Sequence, residues 1–129
     1  MIGTLNKKKL EAVLETLPIE FSVIDENDKV LAWNRHDTRL FKRPEAVVGR
    51  DVRDCHPKKS VDRVETILQE MKTGIRETAE FWIDLETTEK VLIQYFALRD
   101  GTGAYLGCLE ASQKIGHIQS LTGQKRLLD

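Results

Sequence analysis

The chain has 129 residues, enough for one domain with its own core, and its 40% apolar and 32% charged residues fit a well-solvated globular protein. Twenty Lys and Arg against 21 Asp and Glu leave a net charge of −1, which argues against a nucleic-acid-tracking surface, since that needs clustered positive charge. No apolar stretch approaches the roughly 20 residues of a membrane span, Met1 to Leu10 lack a secretory core, and two cysteines, Cys55 and Cys108, outline no disulfide framework, so a cytoplasmic protein is expected.

Asn6 is placed to cap a helix in which Leu10, Val13, Leu14 and Leu17 recur at i, i+3, i+4 and i+7, and Pro18 closes it. Lys7, Lys8, Glu11 and Glu15 take the other side, so the apolar stripe needs a cover. Two β-prone runs follow, Phe21-Ser22-Val23-Ile24-Asp25 and Val30-Leu31-Ala32-Trp33-Asn34; the tetrad Glu26-Asn27-Asp28-Lys29 between them reads as a hairpin turn. From Arg35 to Gly49 the pattern is irregular and anchored by Leu40 and Phe41, with Pro44 opening a helical turn and Gly49 ending it. Ser60 is expected to cap a longer helix with a stripe of Val61, Val64, Ile67, Leu68 and Met71, stopped at Gly74.

The period then drops to two. Thr78, Glu80, Trp82 and Asp84 share one face of a strand, with Ala79, Phe81, Ile83 and Leu85 on the other. A turn over Glu86-Thr87-Thr88-Glu89 leads to a strand from Lys90 to Leu98, which carries Val91, Ile93 and Tyr95 on one face and Leu92, Phe96 and Leu98 on the other. A second turn, Asp100-Gly101-Thr102-Gly103, precedes a strand from Tyr105 to Ser112. Gln113 to Asp129 reads as a short helix and a loose tail, broken at Gly116 and Gly123.

Strands at both ends with helices between them indicate an α+β domain: a five-stranded antiparallel sheet with short helices on its inner face. Apolar groups on both faces, Trp82 included, require that the outer face be covered too. The expected organisation is an N-terminal amphipathic helix over 1–18, the sheet domain over 19–115, and a C-terminal helix or tail over 116–129. The helix around Leu10 to Leu17 is the expected cover, within the chain or across a homodimer that buries Leu10, Val13, Leu14, Leu17 and Trp82.

Val23-Ile24-Asp25, Val30 and Trp33-Asn34, then Val47-Val48-Gly49-Arg50-Asp51-Val52, then Phe96-Ala97-Leu98-Arg99-Asp100 with Gly103-Ala104-Tyr105-Leu106-Gly107, resemble a PAS domain in order and spacing. The resemblance covers roughly Leu17 to Ile115. Asp54-Cys55-His56-Pro57-Lys58-Lys59-Ser60-Val61, Glu80-Phe81-Trp82-Ile83 and the ending Lys125-Arg126-Leu127-Leu128-Asp129 further resemble PAS modules found behind hemerythrin-like domains in bacterial and archaeal proteins of unassigned function. Those modules commonly carry a second His where this chain has Asp62, and three His residues without His/Glu repeats build no di-iron bundle.

The resemblance implies a non-catalytic sensory module with an inner pocket. Cys55, His56, His36 and scattered carboxylates give no nucleophile paired with a base, and Gly101-Thr102-Gly103 is a hairpin turn rather than a phosphate loop. Flavin-binding relatives place a reactive cysteine where Val52 stands, so a flavin adduct there is excluded and flavin ranks below haem. Haem iron has donors in His56 or Cys55, with Met71 as a softer second ligand; the plainer reading is that His56 braces a helix start. A small apolar or amphipathic ligand would lie against Phe41, Val64, Leu68 and Phe81, with Trp33 and Asn34 near the rim, where the plainer reading makes each of these a core residue. Cys108 reads as a small buried hydrophobe. Two functions stay open: a dimeric sensor that binds a small ligand or haem, and a ligand-free dimerisation scaffold.

Overall fold

The computed structural model describes residues 1–86 and 89–128. Thr87 and Thr88, within the turn expected after Glu86, and Asp129 at the end of the tail lie outside the described residues. The chain runs α1 (Lys7–Thr16), β1 (Glu20–Asp25), β2 (Val30–Trp33), α2 (Lys58–Lys72), β3 (Thr78–Asp84), β4 (Lys90–Arg99), β5 (Tyr105–Lys114) and α3 (Gly116–Gln119). Short 3-10 turns at His36–Thr38, Glu45–Val47 and Val52–Cys55 fill the crossover from β2 to α2. The strands form one antiparallel sheet in the order β2-β1-β5-β4-β3, so the expected α+β architecture is the one observed.

The Asn6 side chain accepts from the Lys9 amide at 2.8 Å and starts α1 as the sequence indicates. The helix end is tied to the sheet by Asn34, which is 1% exposed. Its Nδ2 donates to the Leu14 and Ile19 carbonyls at 2.8 and 2.9 Å, and its Oδ1 accepts from the Phe21 amide at 2.7 Å. The chain does not supply the expected cover for the α1 stripe. No α1 residue is buried, and Leu10, Val13 and Leu17 stay 37%, 45% and 38% exposed.

Helix α2 starts at Lys58 without a side-chain cap, and Ser60 lies inside it rather than before it. Pro57 sets the entry, because its fixed φ suits a helix start and its carbonyl already accepts from the Ser60 amide at 2.8 Å. Val64, Leu68 and Met71 form the buried stripe. Gly74 takes a positive φ of 81° just past the helix and ends it as expected. In the tail, α3 begins at Gly116 instead of breaking there, and Gln113 and Lys114 extend β5.

The core lies between α2 and one face of the sheet, where Ile24, Val30, Val91, Ile93 and Tyr95 meet Val64, Leu68 and Met71. In β1 and β5 polar side chains share the buried face with Ile24. Glu20 and Ser22 of β1 and Cys108 and Ser112 of β5 are buried, while Phe21, Val23, Leu109 and Ala111 are only partly covered. Cross-strand register puts Ser22 opposite Glu110 and Glu110 opposite Tyr95, a polar row across the inner face. On the outer face Val23, Leu109 and Phe96 align in the same way, and Trp82 of β3 is 62% exposed.

Candidate functional site

The inner row borders a small cavity of about 20 Å³ between sheet and helix. Val64 and Leu68 of α2, with Ile24, Val30 and Val52, supply its apolar wall. The sheet side is polar: Ser22, Tyr95, Cys108 and Glu110, joined by Arg43 from the crossover and His56 from the entry to α2. Arg43 Nε donates to Ser22 Oγ at 2.9 Å, and its guanidinium lies 3.9 Å from Glu110 Oε1. Cross-strand register sets Tyr95 directly opposite Glu110 on this face.

A second arginine fixes this corner from behind. Arg39 donates to the Phe21, Asn34 and Phe41 carbonyls and to Ser22 Oγ, all within 3.1 Å. Burial holds its guanidinium below the ordinary arginine value, against the attraction of Glu20 4.0 Å away. The Glu20 carboxylate accepts from the Leu40 and Phe41 amides at 2.6 and 3.1 Å. This buried pair is committed to backbone and shapes the wall rather than facing a ligand.

Burial raises the Tyr95 phenol, and neighbouring Glu110 raises it further. Burial likewise pushes the Cys108 thiol up to about 12, again with Glu110 adding to it. Both groups therefore stay protonated at neutral pH. His56 Nδ1 lies 3.0 Å from the Val52 carbonyl, which only accepts, so the neutral ring carries its proton there and leaves Nε2 for another partner. Together these groups offer donors and one carboxylate in an apolar surround, which suits recognition, and the raised Cys108 thiol is a poor nucleophile.

Of the residues expected at the site, the fold brings His56, Val64 and Leu68 to the cavity and sends the others elsewhere. Cys55 and Phe41 pack against the core without lining the cavity. Met71 is fully buried away from it. Trp33 stacks on His36 with centroids 6.0 Å apart and donates Nε1–H to its Nδ1 at 2.9 Å. Asn34 is consumed by backbone, and Phe81 sits on β3, 37% exposed, with its ring 5.7 Å from Tyr95. Ser22, Tyr95, Cys108 and Glu110 escaped the sequence reading because cross-strand register, not sequence spacing, assembles them, and Arg43 because it reaches Ser22 from the irregular crossover.

A cavity of about 20 Å³ has room for one water. Of the iron donors read from the sequence, His56 lines it, whereas Cys55 and Met71 do not. Among the described residues no group of three or more His, Cys, Asp or Glu is placed to hold a metal ion, and no helix is long and apolar enough to cross a membrane. Outside the cavity, His36, Asp37, Lys42, Pro44 and Glu45 line an open surface cleft of about 390 Å³, which Arg43 also lines.

A family model described as a PAS domain matches residues 10–116. The C-terminal domain of a Streptococcus mutans protein is 30% identical, with a TM-score of 0.84 over 92% of this chain and 91% of that one. The PAS domain of BvgS from Bordetella pertussis is 15% identical, with a TM-score of 0.63 over 91% of this chain and 87% of that one. VqmA of Vibrio cholerae, described as a dimer and a LuxR-type receptor, is 16% identical, with a TM-score of 0.63 over 93% of this chain and 56% of its own. The latter two likenesses bear on fold alone. No curated protein sequence matches the chain. None of these matches extends to a hemerythrin-like domain, so that association remains a resemblance of the sequence.

Proposed function

The chain belongs to the PAS domain family, and on that premise we propose that it is a non-catalytic sensory module whose inner cavity takes a small amphipathic molecule. The observation that carries this reading is the split lining. An apolar wall from α2 faces a polar row of Ser22, Glu110 and Tyr95, with Arg43 reaching over it. Core packing alone has no need of a guanidinium 3.9 Å from a carboxylate at that place, since both lose hydration there. A ligand with an apolar body and a polar end capable of both donating and accepting answers both walls. Its entry displaces α2 side chains outward, because the present volume holds one water.

The module acts through another copy of itself. The uncovered stripe of Leu10, Val13 and Leu17 on α1 supports this part of the reading, as does exposed Trp82. The small cavity also favours a second function, a dimerisation scaffold with no ligand. Native mass spectrometry of the purified protein, paired with thermal shifts across a small-molecule panel, separates the two. A retained adduct, or a stabilising compound whose effect is lost in Glu110→Gln, supports the sensor. A protein that carries no adduct and ignores every compound is the scaffold. Hemin is expected to give no stoichiometric Soret shift; a shift abolished by His56→Ala would show that the cavity opens far beyond its present packing.

A further inference from the structure

We propose that Arg43 is a gate between the surface cleft and the inner cavity, swinging outward to connect them. Arg43 is the residue that lines both spaces, and its side chain is 11% exposed, so it stands at the boundary. Its hold on the inner side is slight: one hydrogen bond to Ser22 Oγ and a 3.9 Å approach to Glu110, too long for a direct bond. Arg39 shows the contrast, with three backbone carbonyls and Ser22 fixing it in place. When Arg43 leaves, Ser22 Oγ keeps Arg39 as a donor at 3.1 Å, so the wall stays satisfied there.

The outward position is also provided for. Asp37 and Glu45 line the cleft and offer carboxylates in exchange for Glu110. Arg43 thus has acceptors on both sides, as a two-position side chain requires. Pro44 directly after it biases the Arg43 backbone toward extended geometry, and the motion proposed is that of the side chain. The gate gives the proposed ligand its path and rests on that reading, but its own test needs no ligand.

Cys108 lines the cavity, is 3% exposed, and reports access from outside. In a Cys55→Ser background it is the single thiol, and its labelling by methyl methanethiosulfonate measures opening. Arg43→Ala is expected to speed labelling about tenfold or more, at a rate insensitive to low urea because a local opening exposes little surface. Asp37→Asn with Glu45→Gln, which leaves the cavity wall intact, is expected to slow labelling below the parent by removing the outer acceptors. An unchanged rate in the Asp37/Glu45 pair, or no urea-independent gain in Arg43→Ala, overturns the gate and leaves the cavity reading standing. Absence of any ligand sinks the cavity reading while leaving the labelling result intact.

Discussion

Asp28, in the turn between β1 and β2, accepts from Lys72 Nζ at 2.7 Å, so the hairpin grips the last turn of α2. The same Oδ2 accepts from Arg53 Nη2 at 3.1 Å, in the segment that leads into α2. One carboxylate therefore ties the last turn of α2 to the 3-10 turn that precedes the helix. Asp28 is 3% exposed, its Oδ1 has no hydrogen-bond partner among the described residues, and its φ is +65°. Asp28→Asn keeps a residue that tolerates that backbone but removes the charge facing two cations. It is expected to lose about 1–3 kcal/mol in urea unfolding, the cost of a charged hydrogen bond left unmade. Asp28→Ala should lose more, because alanine is also strained at positive φ. An Asn variant as stable as the parent would show that the clamp is ornamental.

The acid side of the stability curve follows from the same cluster. Arg53 pairs with Glu65 and lies 3.0 Å from Asp51. Hydrogen bonding to Arg53 holds the Glu65 carboxyl below its ordinary value. At Asp51 burial pushes upward, but hydrogen bonds from the Arg53 amide and guanidinium outweigh it, and the net shift is downward. A carboxyl depressed in the folded state binds fewer protons there than in the unfolded chain. Its stabilisation is present above the unfolded value of about 4 and is lost as pH falls through the folded value. Urea midpoints should therefore decline from about pH 5 downward, and Arg53→Met should flatten that decline. An equally steep acid limb in Arg53→Met would place the sensitivity elsewhere.

The sheet and α2 were legible because their periods are local. Val64, Leu68 and Met71 announce a helix face, and Val91, Ile93 and Tyr95 a buried strand face. The cavity's polar side was not legible, for a physical reason. In β1 and β5 the polar residues Ser22, Glu110 and Ser112 alternate with Phe21, Leu109 and Ala111. Period alone assigns such polar residues to solvent, whereas here they face α2. What decides the matter is pairing with Arg39 and Arg43, which lie on an irregular segment and reach Ser22 from 17 and 21 residues away in sequence. Ser60 misled in a similar way: a cap needs the chain to arrive from a particular direction, and Pro57 had already turned it.

Gly107 tests the pairing of β1 with β5. Its φ is +147°, and a Cβ placed there would lie 2.0 Å from the Ile24 carbonyl oxygen, a backbone atom that cannot step aside. Gly107→Ala must therefore separate two strands beside Ile24 and Cys108, which form part of the cavity wall. We expect a loss above about 3 kcal/mol, among the large single-residue effects, and faster labelling of Cys108 at the same temperature. Little change in the melting temperature would mean that the register between these strands is wrong.

The α1 stripe makes a prediction that separates assembly from folding. Val13 is 45% exposed, and α1 holds the sheet through the Leu14 and Leu17 carbonyls, to which Asn34 and Arg35 donate at 2.8 Å. Val13→Glu leaves those backbone bonds untouched while placing a carboxylate in the stripe beside Leu10 and Leu17. Full burial of a side chain of this size is worth about 1.5–3 kcal/mol, so covering its exposed part contributes on the order of 1 kcal/mol per subunit. A symmetric pair loses that contribution twice, and a buried carboxylate adds its desolvation cost. Light scattering at tens of micromolar is expected to show a dimer for the parent and mostly monomer for Val13→Glu, with melting extrapolated to low concentration nearly equal. A parent that runs as a monomer at that concentration, or a variant that dimerises as well as the parent, would remove α1 from the interface.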